Sequence, residues 1–341
     1  MLAIHIRKES FSDRWIEYCQ SRKIDFIKVN IYDSGIISHL LKSNVKILLA
    51  HPTHDDYKTS LISKSILLAA EKAGIKVFPD TQSYWHFDDK LSEKYLFEAL
   101  GIPHIPTNVF YSRDEALEWM LKATFPVVFK LRGGAGAQNV FLLRNKKEAT
   151  YYINKMFSKG LNPQRSPLHD FKNKINNHNA NRDWRAAFKR LPGTIRNIMS
   201  MNNEMHREKG YFMVQDFLPD NNYDIRSAIY GEKAFIFRRI NRPGDFRASG
   251  SGVRNYEYHE SFESLVDLTF KAARKIGTQA MSFDILFGRD KKPYINEISY
   301  TMPAQPIYEN EGYWDSSLVF HPGPVWLEDI IIEHVLGSNG Q

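Results

Sequence analysis

The sequence predicts a mixed fold, α/β at its start and α+β after it, on three observations. Short apolar runs at Leu2 to Ile6, Asp25 to Val29 and Val45 to Ala50 alternate with helix-like stretches at Asp13 to Ser21 and Ile36 to Lys42, the pattern of a small parallel α/β layer. A β-forming run, Val127 to Phe129, ends in Lys130 and breaks into Gly133, Gly134 and Gly136. Two late strands, Ala280 to Phe287 and Pro293 to Ile298, each carry one carboxylate in an otherwise apolar pattern.

Taken in order, Tyr57 to Ala73 reads as a helix closed by Gly74, and Val77 with Phe78 starts a fourth strand, so residues 1–88 form an N-terminal α/β domain. Residues 89–341 form the second. Asp89 opens a helix in which Leu91, Tyr95, Leu96 and Ala99 follow helical spacing until Gly101. Lys90 falls in the first turn, where a cation opposes the helix dipole; it is either an exposed stem or the partner of a bound anion. A strand at Thr107 to Phe110, a helix at Arg113 to Ala123, the strand ending at Lys130, another strand at Val140 to Leu143 and a helix ending near Phe157 complete a lobe over 89–159. The lobe resumes at 211–218 with the strand that starts at Tyr211 and ends before Pro219. In 219–341, Asp224 and Arg226 share one face of a strand and Ile225, Ser227 and Ile229 the other, with Lys233 to Ile240 pairing through Gly231. A helix at Ser261 to Ile276, the two late strands and a helix around Trp326 to Leu336 close the chain.

At 341 residues and 43% hydrophobic, the chain can bury two or three subdomain cores. No run approaches the roughly 18 apolar residues of a membrane span, and the first residues lead at once into charge, so a cytoplasmic protein is expected. Cys19, the single cysteine, is read as a packing residue. The formal charge is +7, and the segment 160–210, with ten basic and four acidic residues, holds six of the seven excess charges. It lacks clean periodicity apart from basic amphipathic stretches between Trp184 and Met199, and reads as an insertion.

The glycine loop and the late strands carry the chemistry. Small residues let a backbone approach a ligand closely, and successive N–H groups make a nest for anionic oxygens; the alternative is an ordinary turn. Lys130 precedes the glycines, and no Lys-Ser or Lys-Thr follows them, so this is not a Walker A loop. A strand follows where a dinucleotide fingerprint needs a helix, leaving a strand–loop–strand flap able to cover a triphosphate. In the late strands, Met281, Phe283, Ile285 and Phe287 face one way and Asp284 the other, while Glu297 shares a face with Ser299 and, further back, Ile295. The turn Gly288 to Lys292 would bring Asp284 and Glu297 together. Close carboxylates repel unless a cation lies between them, and an all-oxygen site suits Mg²⁺; the alternative is a pair of solvated carboxylates.

The order of these elements resembles the ATP-grasp superfamily, in particular its RimK-like and glutathione-synthetase-like carboxylate-amine ligases, from the first α/β domain through Asn296-Glu297-Ile298-Ser299. The resemblance implies two lobes enclosing ATP with Mg²⁺, two ions in the usual arrangement. It also implies that Lys90 and Lys130 contact phosphates, that Gly133, Gly134 and Gly136 lie in the flap, and that Gln215, Asp216, Phe217 and Leu218 form the hinge that meets adenine. Asp224, Arg226, Arg247 and Ser249 would line the triphosphate and acyl-phosphate region, with Arg226 and Arg247 stabilising developing charge. Asp284, Glu297 and Ser299 would hold metal, although the family usually has Glu-x-Asn where this chain has Glu297-Ile298-Ser299, and a serine hydroxyl is shorter. The strings Asp245 to Gly252, Glu297 to Tyr300 and Gly312 to Asp315 also resemble an ATP-grasp group often encoded with bacterial surface-polysaccharide genes.

An ATP- and Mg²⁺-dependent ligase is therefore expected, joining a small-molecule or sugar-linked carboxylate to an amine through an acyl phosphate. Two other readings stand beside it: a kinase on this fold that phosphorylates a hydroxyl, and a nucleotide-binding regulatory protein with little turnover. The basic insertion is either solvated surface or the contact for an acidic partner; an anionic surface at the inner membrane ranks before nucleic acid, for which no reading module is present. Tyr300, Tyr308, Tyr313 and Trp314 either border the acceptor or dock their rings into the core.

Overall fold

Each early apolar run forms a strand in the computed structural model, which describes residues 1–8, 10–52, 57–134, 139–162, 207–242, 245–247 and 251–337. Strands β1 (Leu2–His5), β2 (Phe26–Val29), β3 (Ile47–Leu49) and β4 (Lys76–Phe78) pair in parallel in the order β2-β1-β3-β4. The helices between and after them are α1 (Phe11–Ser21), α2 (Ile36–Lys42), α3 (Tyr57–Lys72) and α4 (Thr81–Tyr84). Helix α1 starts where the Ser10 side chain accepts from the Ser12 N–H, and it buries Phe11, Trp15, Tyr18 and Cys19. Burial pushes the Cys19 thiol up to about 11, as befits a packing residue. Helix α5 (Lys90–Leu100) is capped by Asp89 and ends on Gly101 at φ 56, the left-handed conformation that glycine adopts without a Cβ penalty.

His86, between α4 and α5, is fully buried, and burial holds its imidazolium pKa down to about 4 from the ordinary 6.5. Below pH 6.5 the unfolded chain binds a proton that the folded chain refuses. The associated stability is complete above pH 6.5 and is lost as pH falls, by about 3 kcal/mol near pH 4. Urea unfolding of the wild type and His86→Phe should give a stability difference that is flat above pH 6.5 and moves against the wild type below it. A pH-independent difference would contradict this account.

A second compact unit, Pro106–Phe217, contains β5 (Thr107–Phe110), α6 (Arg113–Lys122), β6 (Val127–Lys130), β7 (Val140–Leu143), α7 (Lys146–Met156) and β8 (Phe212–Asp216). Its antiparallel sheet runs β5-β8-β6-β7. Phe129 stacks on Phe212 and Phe141, with ring centroids 5.1 and 5.7 Å apart, and Tyr152 packs on both Phe129 and Phe141. The base of the insertion is drawn together by Leu161 and Glu208, which exchange two backbone hydrogen bonds of 2.9 Å. Gly160 sits there at φ +70, and a Cβ on it would lie 2.5 Å from the Glu208 carbonyl oxygen, so the close approach requires glycine. The helices expected between Trp184 and Met199 lie outside the described residues.

The other unit comprises Met1–Ile105 and Leu218–Gln341. Its second part adds β9 (Tyr223–Tyr230), β10 (Lys233–Ile240), β11 (Arg254–Asn255), α8 (Phe262–Ile276), β12 (Ala280–Phe287), β13 (Pro293–Ser299), α9 (Gln305–Tyr308), β14 (Gly312–Asp315), β15 (Phe320–Pro322) and α10 (Leu327–Gly337). The strands form one sheet in the order β13-β12-β9-β10-β14-β15, with β11 paired to β10. Ile225, Ile229, Phe283 and Ile285 on one face pack with Leu265, Val266 and Phe270 of α8. On the other face Ala228, Tyr230, Phe235 and Phe237 belong to the same core as Trp15, Leu48 and Phe78 of the parallel sheet. Helix α10 joins α1 through a two-pronged Arg14–Asp329 pair at 2.8 and 2.7 Å, and the Trp15 indole N–H donates to the Glu328 carbonyl. This shared core is why the boundary expected at residue 88 does not coincide with a division between compact units.

One pair of alternatives is decided and one local expectation changes. Tyr300 is fully buried, edge-on to Tyr84 and Phe87 at 5.2 and 4.8 Å, so this ring docks into the core and does not border a substrate. Ile295 does not share a face with Glu297. The register passes from Asp284↔Glu297 to Ile285↔Ile295, so Asn296 is an extra residue that turns Ile295 into the α8 core while Glu297 stays opposite Asp284.

Candidate active site

The polar residues of this sheet converge where four strands and one helix supply one side chain or two each. Alternation along β9 places Asp224 and Arg226 on the face away from α8. The antiparallel registers set Arg239 of β10 opposite Asp224, and Asp284 of β12 opposite both Arg226 and Glu297 of β13. The Arg226 fork grips Asp284, Nε to Oδ1 at 2.8 Å and Nη2 to Oδ2 at 2.9 Å. Arg239 donates through Nε to Asp224 Oδ1 at 2.7 Å, while its Nη2 bonds both Asp224 Oδ2 and, at 2.6 Å, Asp284 Oδ2. Lys90 reaches the adjacent strand from the first turn of α5, its Nζ 3.0 Å from Glu297 Oε1.

Pairing explains why these ionised groups tolerate burial. Three cations, Lys90, Arg226 and Arg239, meet three carboxylates, Asp224, Asp284 and Glu297. Burial alone would push the Asp284 carboxyl up, but Arg226 and Arg239 outweigh it and hold the group below the ordinary range. For Asp224 burial wins, and together with the Asp284 charge it exceeds the help from Arg239, so this carboxyl lies above the ordinary range. Burial opposes the Lys90 ammonium, yet Glu297, Asp88 and Glu93 together raise it above an ordinary lysine. Glu93, itself buried, also accepts from the Ile298 N–H at 3.4 Å, which ties α5 to β13 beside Glu297.

The other expected site residues make local contacts. Arg247 forks onto Asp245 two residues before it, with both bonds at 2.9 Å. The Ser299 hydroxyl donates to the Thr301 carbonyl at 2.7 Å. Lys130, Gly133, Gly134, Gln215, Asp216 and Phe217 belong to the second unit, and Leu218 opens the return to the first. There Lys130 is buried at the end of β6, and the Gln215 amide donates to the Thr107 hydroxyl at 3.2 Å. Gly136 and Ser249 lie outside the described residues.

Arg239 and Glu93 were missed by the sequence reading. A signal for Arg239 existed: a two-residue turn at Gly231 and Glu232 fixes the hairpin register and sets Arg239 against Asp224. Glu93 offered none, since its partner is 205 residues away.

The fold is matched in known structures. The biotin carboxylase domain of the Hydrogenobacter thermophilus 2-oxoglutarate carboxylase, solved with MgADP, ADP and bicarbonate, aligns at TM-score 0.60 and 14% identity over 98% of this chain and 69% of that one. A RimK domain ATP-grasp protein from Sphaerobacter thermophilus aligns at TM-score 0.51 and 12% identity over 87% of this chain and 89% of that one. The chain has the ATP-grasp fold. The ATP-grasp ligase PsnB, solved with a minimal precursor, matches almost end to end, at TM-score 0.55 and 11% identity over 99% of this chain and 98% of that one. No protein-family model matches this chain, and no curated protein matches it. Among the described residues no helix is long and apolar enough to cross a membrane, and no group of three or more His, Cys, Asp or Glu could hold a metal ion.

Proposed function

We propose that this protein is an ATP- and Mg²⁺-dependent ligase that joins a carboxylate to an amine. The observation that carries the reading is the largely buried charge cluster of Arg226, Arg239, Asp224, Asp284 and Glu297 on one face of an ATP-grasp sheet, joined by Lys90 from α5. It is supported by the neighbour solved with MgADP and bicarbonate and by the ligase PsnB. Mg²⁺ is commonly held by one or two carboxylates plus substrate phosphates, not by a protein cage, so a pair of opposed carboxylates fits it. Asp284 and Glu297 would hold the ion, with Ser299 acting at most through water while its hydroxyl is given to Thr301. Bound there, Mg²⁺ would neutralise charge on the phosphate oxygens.

In the proposed reaction a substrate carboxylate oxygen attacks the γ-phosphorus in line and the bond to the ADP oxygen breaks, giving an acyl phosphate. The amine nitrogen then attacks the carbonyl carbon, phosphate leaves, and the nitrogen loses a proton. Lys90 and Lys130 would bind phosphates, Gly133, Gly134 and Gly136 would cover them, and Gln215 to Leu218 would meet the adenine. Arg226 and Arg247 would stabilise oxygens on which charge develops, with Asp224 and Ser249 beside them. Arg226 and Lys90 are paired with carboxylates in this structure, so nucleotide binding would exchange those partners for phosphate oxygens.

A screen of ADP release with amino acids, uronic acids and amino sugars as substrates tests this, the uronic acids and amino sugars because of the surface-polysaccharide resemblance. With the right acid, hydroxylamine in place of the amine should give a hydroxamate. Asp284→Asn and Glu297→Gln should each lower ADP release by about 10²-fold or more. ADP release accompanied by a phosphorylated hydroxyl and no hydroxamate would assign a kinase instead.

A further inference from the structure

The loop after β6 already presents its first backbone donors to an anion. The Glu208 carboxylate accepts from the Arg132 N–H through Oε2 at 2.9 Å and from the Gly133 N–H through Oε1 at 3.3 Å. The Tyr211 hydroxyl also bonds Glu208 Oε2, and accepts from the Arg132 N–H at 2.7 Å. Burial, reinforced by the neighbouring Glu208 charge, raises the Tyr211 phenol above its ordinary range, so it stays a donor to the carboxylate. The Glu208 backbone is fixed by its paired bonds to Leu161, which sets the position from which the side chain reaches the loop. Two successive N–H groups aimed at one acceptor form a nest, and a nest receives phosphate oxygens as readily as carboxylate oxygens. None of the roles proposed for this site uses Glu208.

We propose that Glu208 is an internal anion that competes with the nucleotide's terminal phosphates for the Arg132 and Gly133 N–H groups. The proposal rests on the nucleotide reading above. Without nucleotide the carboxylate accepts from both donors. With nucleotide, a phosphate oxygen takes them and Glu208, which is partly exposed, turns to water. The affinity that is measured is then reduced by the population in which Glu208 holds the nest. Ligands with a polyphosphate feel this competition, and ligands without one do not.

Calorimetric titration of the full chain and of Glu208→Gln with ATP, ADP and adenosine tests the proposal. Glu208→Gln should tighten ATP about tenfold, the scale of one charge-assisted hydrogen bond, tighten ADP less, and leave adenosine unchanged. Unchanged or weaker ATP binding overturns the proposal, because a carboxylate that only shapes the turn would have that effect; an equal change for adenosine overturns it too. If the glutamine variant does not fold, Tyr211→Phe, which removes the donor that helps hold the carboxylate, should tighten ATP in the same order by a smaller factor. No tightening in that variant overturns the proposal as well. Failure of the wild type to bind ATP would instead reject the nucleotide reading and this inference with it.

Discussion

Arg239→Met is expected to lower the unfolding free energy by about 3–5 kcal/mol, the cost of leaving buried carboxylates without their cation. Arg239 is 9% exposed and serves two acids, Asp224 and Asp284, of which only Asp284 has a second guanidinium, from Arg226. Methionine keeps much of the buried stem, so the loss reports charge more than volume. Adding Asp224→Asn to Arg239→Met should recover part of the loss, since the amide removes the stranded charge, and the two substitutions should therefore be far from additive in urea denaturation. A loss under 1 kcal/mol, or additive effects, would mean that the cluster is more hydrated than its burial implies.

Lys90→Met is expected to act on turnover. In its proposed role on the transferring phosphate, loss of this cation should reduce ADP release by about 10²–10³-fold, while stability changes less than in Arg239→Met because Glu297, 32% exposed on its side chain, can take up water when its partner is gone. Lys90→Arg keeps the charge but replaces a compact ammonium with a wide fork in a buried position, and should restore only part of the rate. Steady-state ADP release at saturating Mg²⁺ separates these outcomes. Rates within threefold of wild type for the methionine variant would remove Lys90 from the nucleotide site.

What could be read in the sequence was what depends on near neighbours. Alternation along β9 and β12 is a local property, so the faces of Asp224, Arg226 and Asp284 followed from the residue types alone. A short turn joins β12 to β13, and the approach of Asp284 to Glu297 followed from it. The same alternation failed at Ile295, because a bulge leaves no mark in an apolar pattern until the partner strand is known. The identity of the cations that pair with each carboxylate was also hidden. Repulsion between Asp284 and Glu297 argued for a cation, and among the described residues Asp284 is paired with Arg226 and Arg239 and Glu297 with Lys90, the last from a helix far away in the sequence. Arg247 carries the opposite lesson, since a motif resemblance names a residue without naming its partner, here Asp245.

The paired bonds between Leu161 and Glu208 give the second unit a splice point. Chain leaves the lobe and returns to it through two residues held side by side, so the scaffold senses only that its ends meet. The entropy of closing a loop grows with the logarithm of its length, and doubling the chain between fixed ends costs only about 0.6 kcal/mol. A lobe built this way can carry a long segment or a short one, basic or neutral, without altering its own sheet. Sequence exchanged at this point is free to diverge in length and charge far faster than the strands on either side, and a foreign domain grafted there would meet the same tolerance.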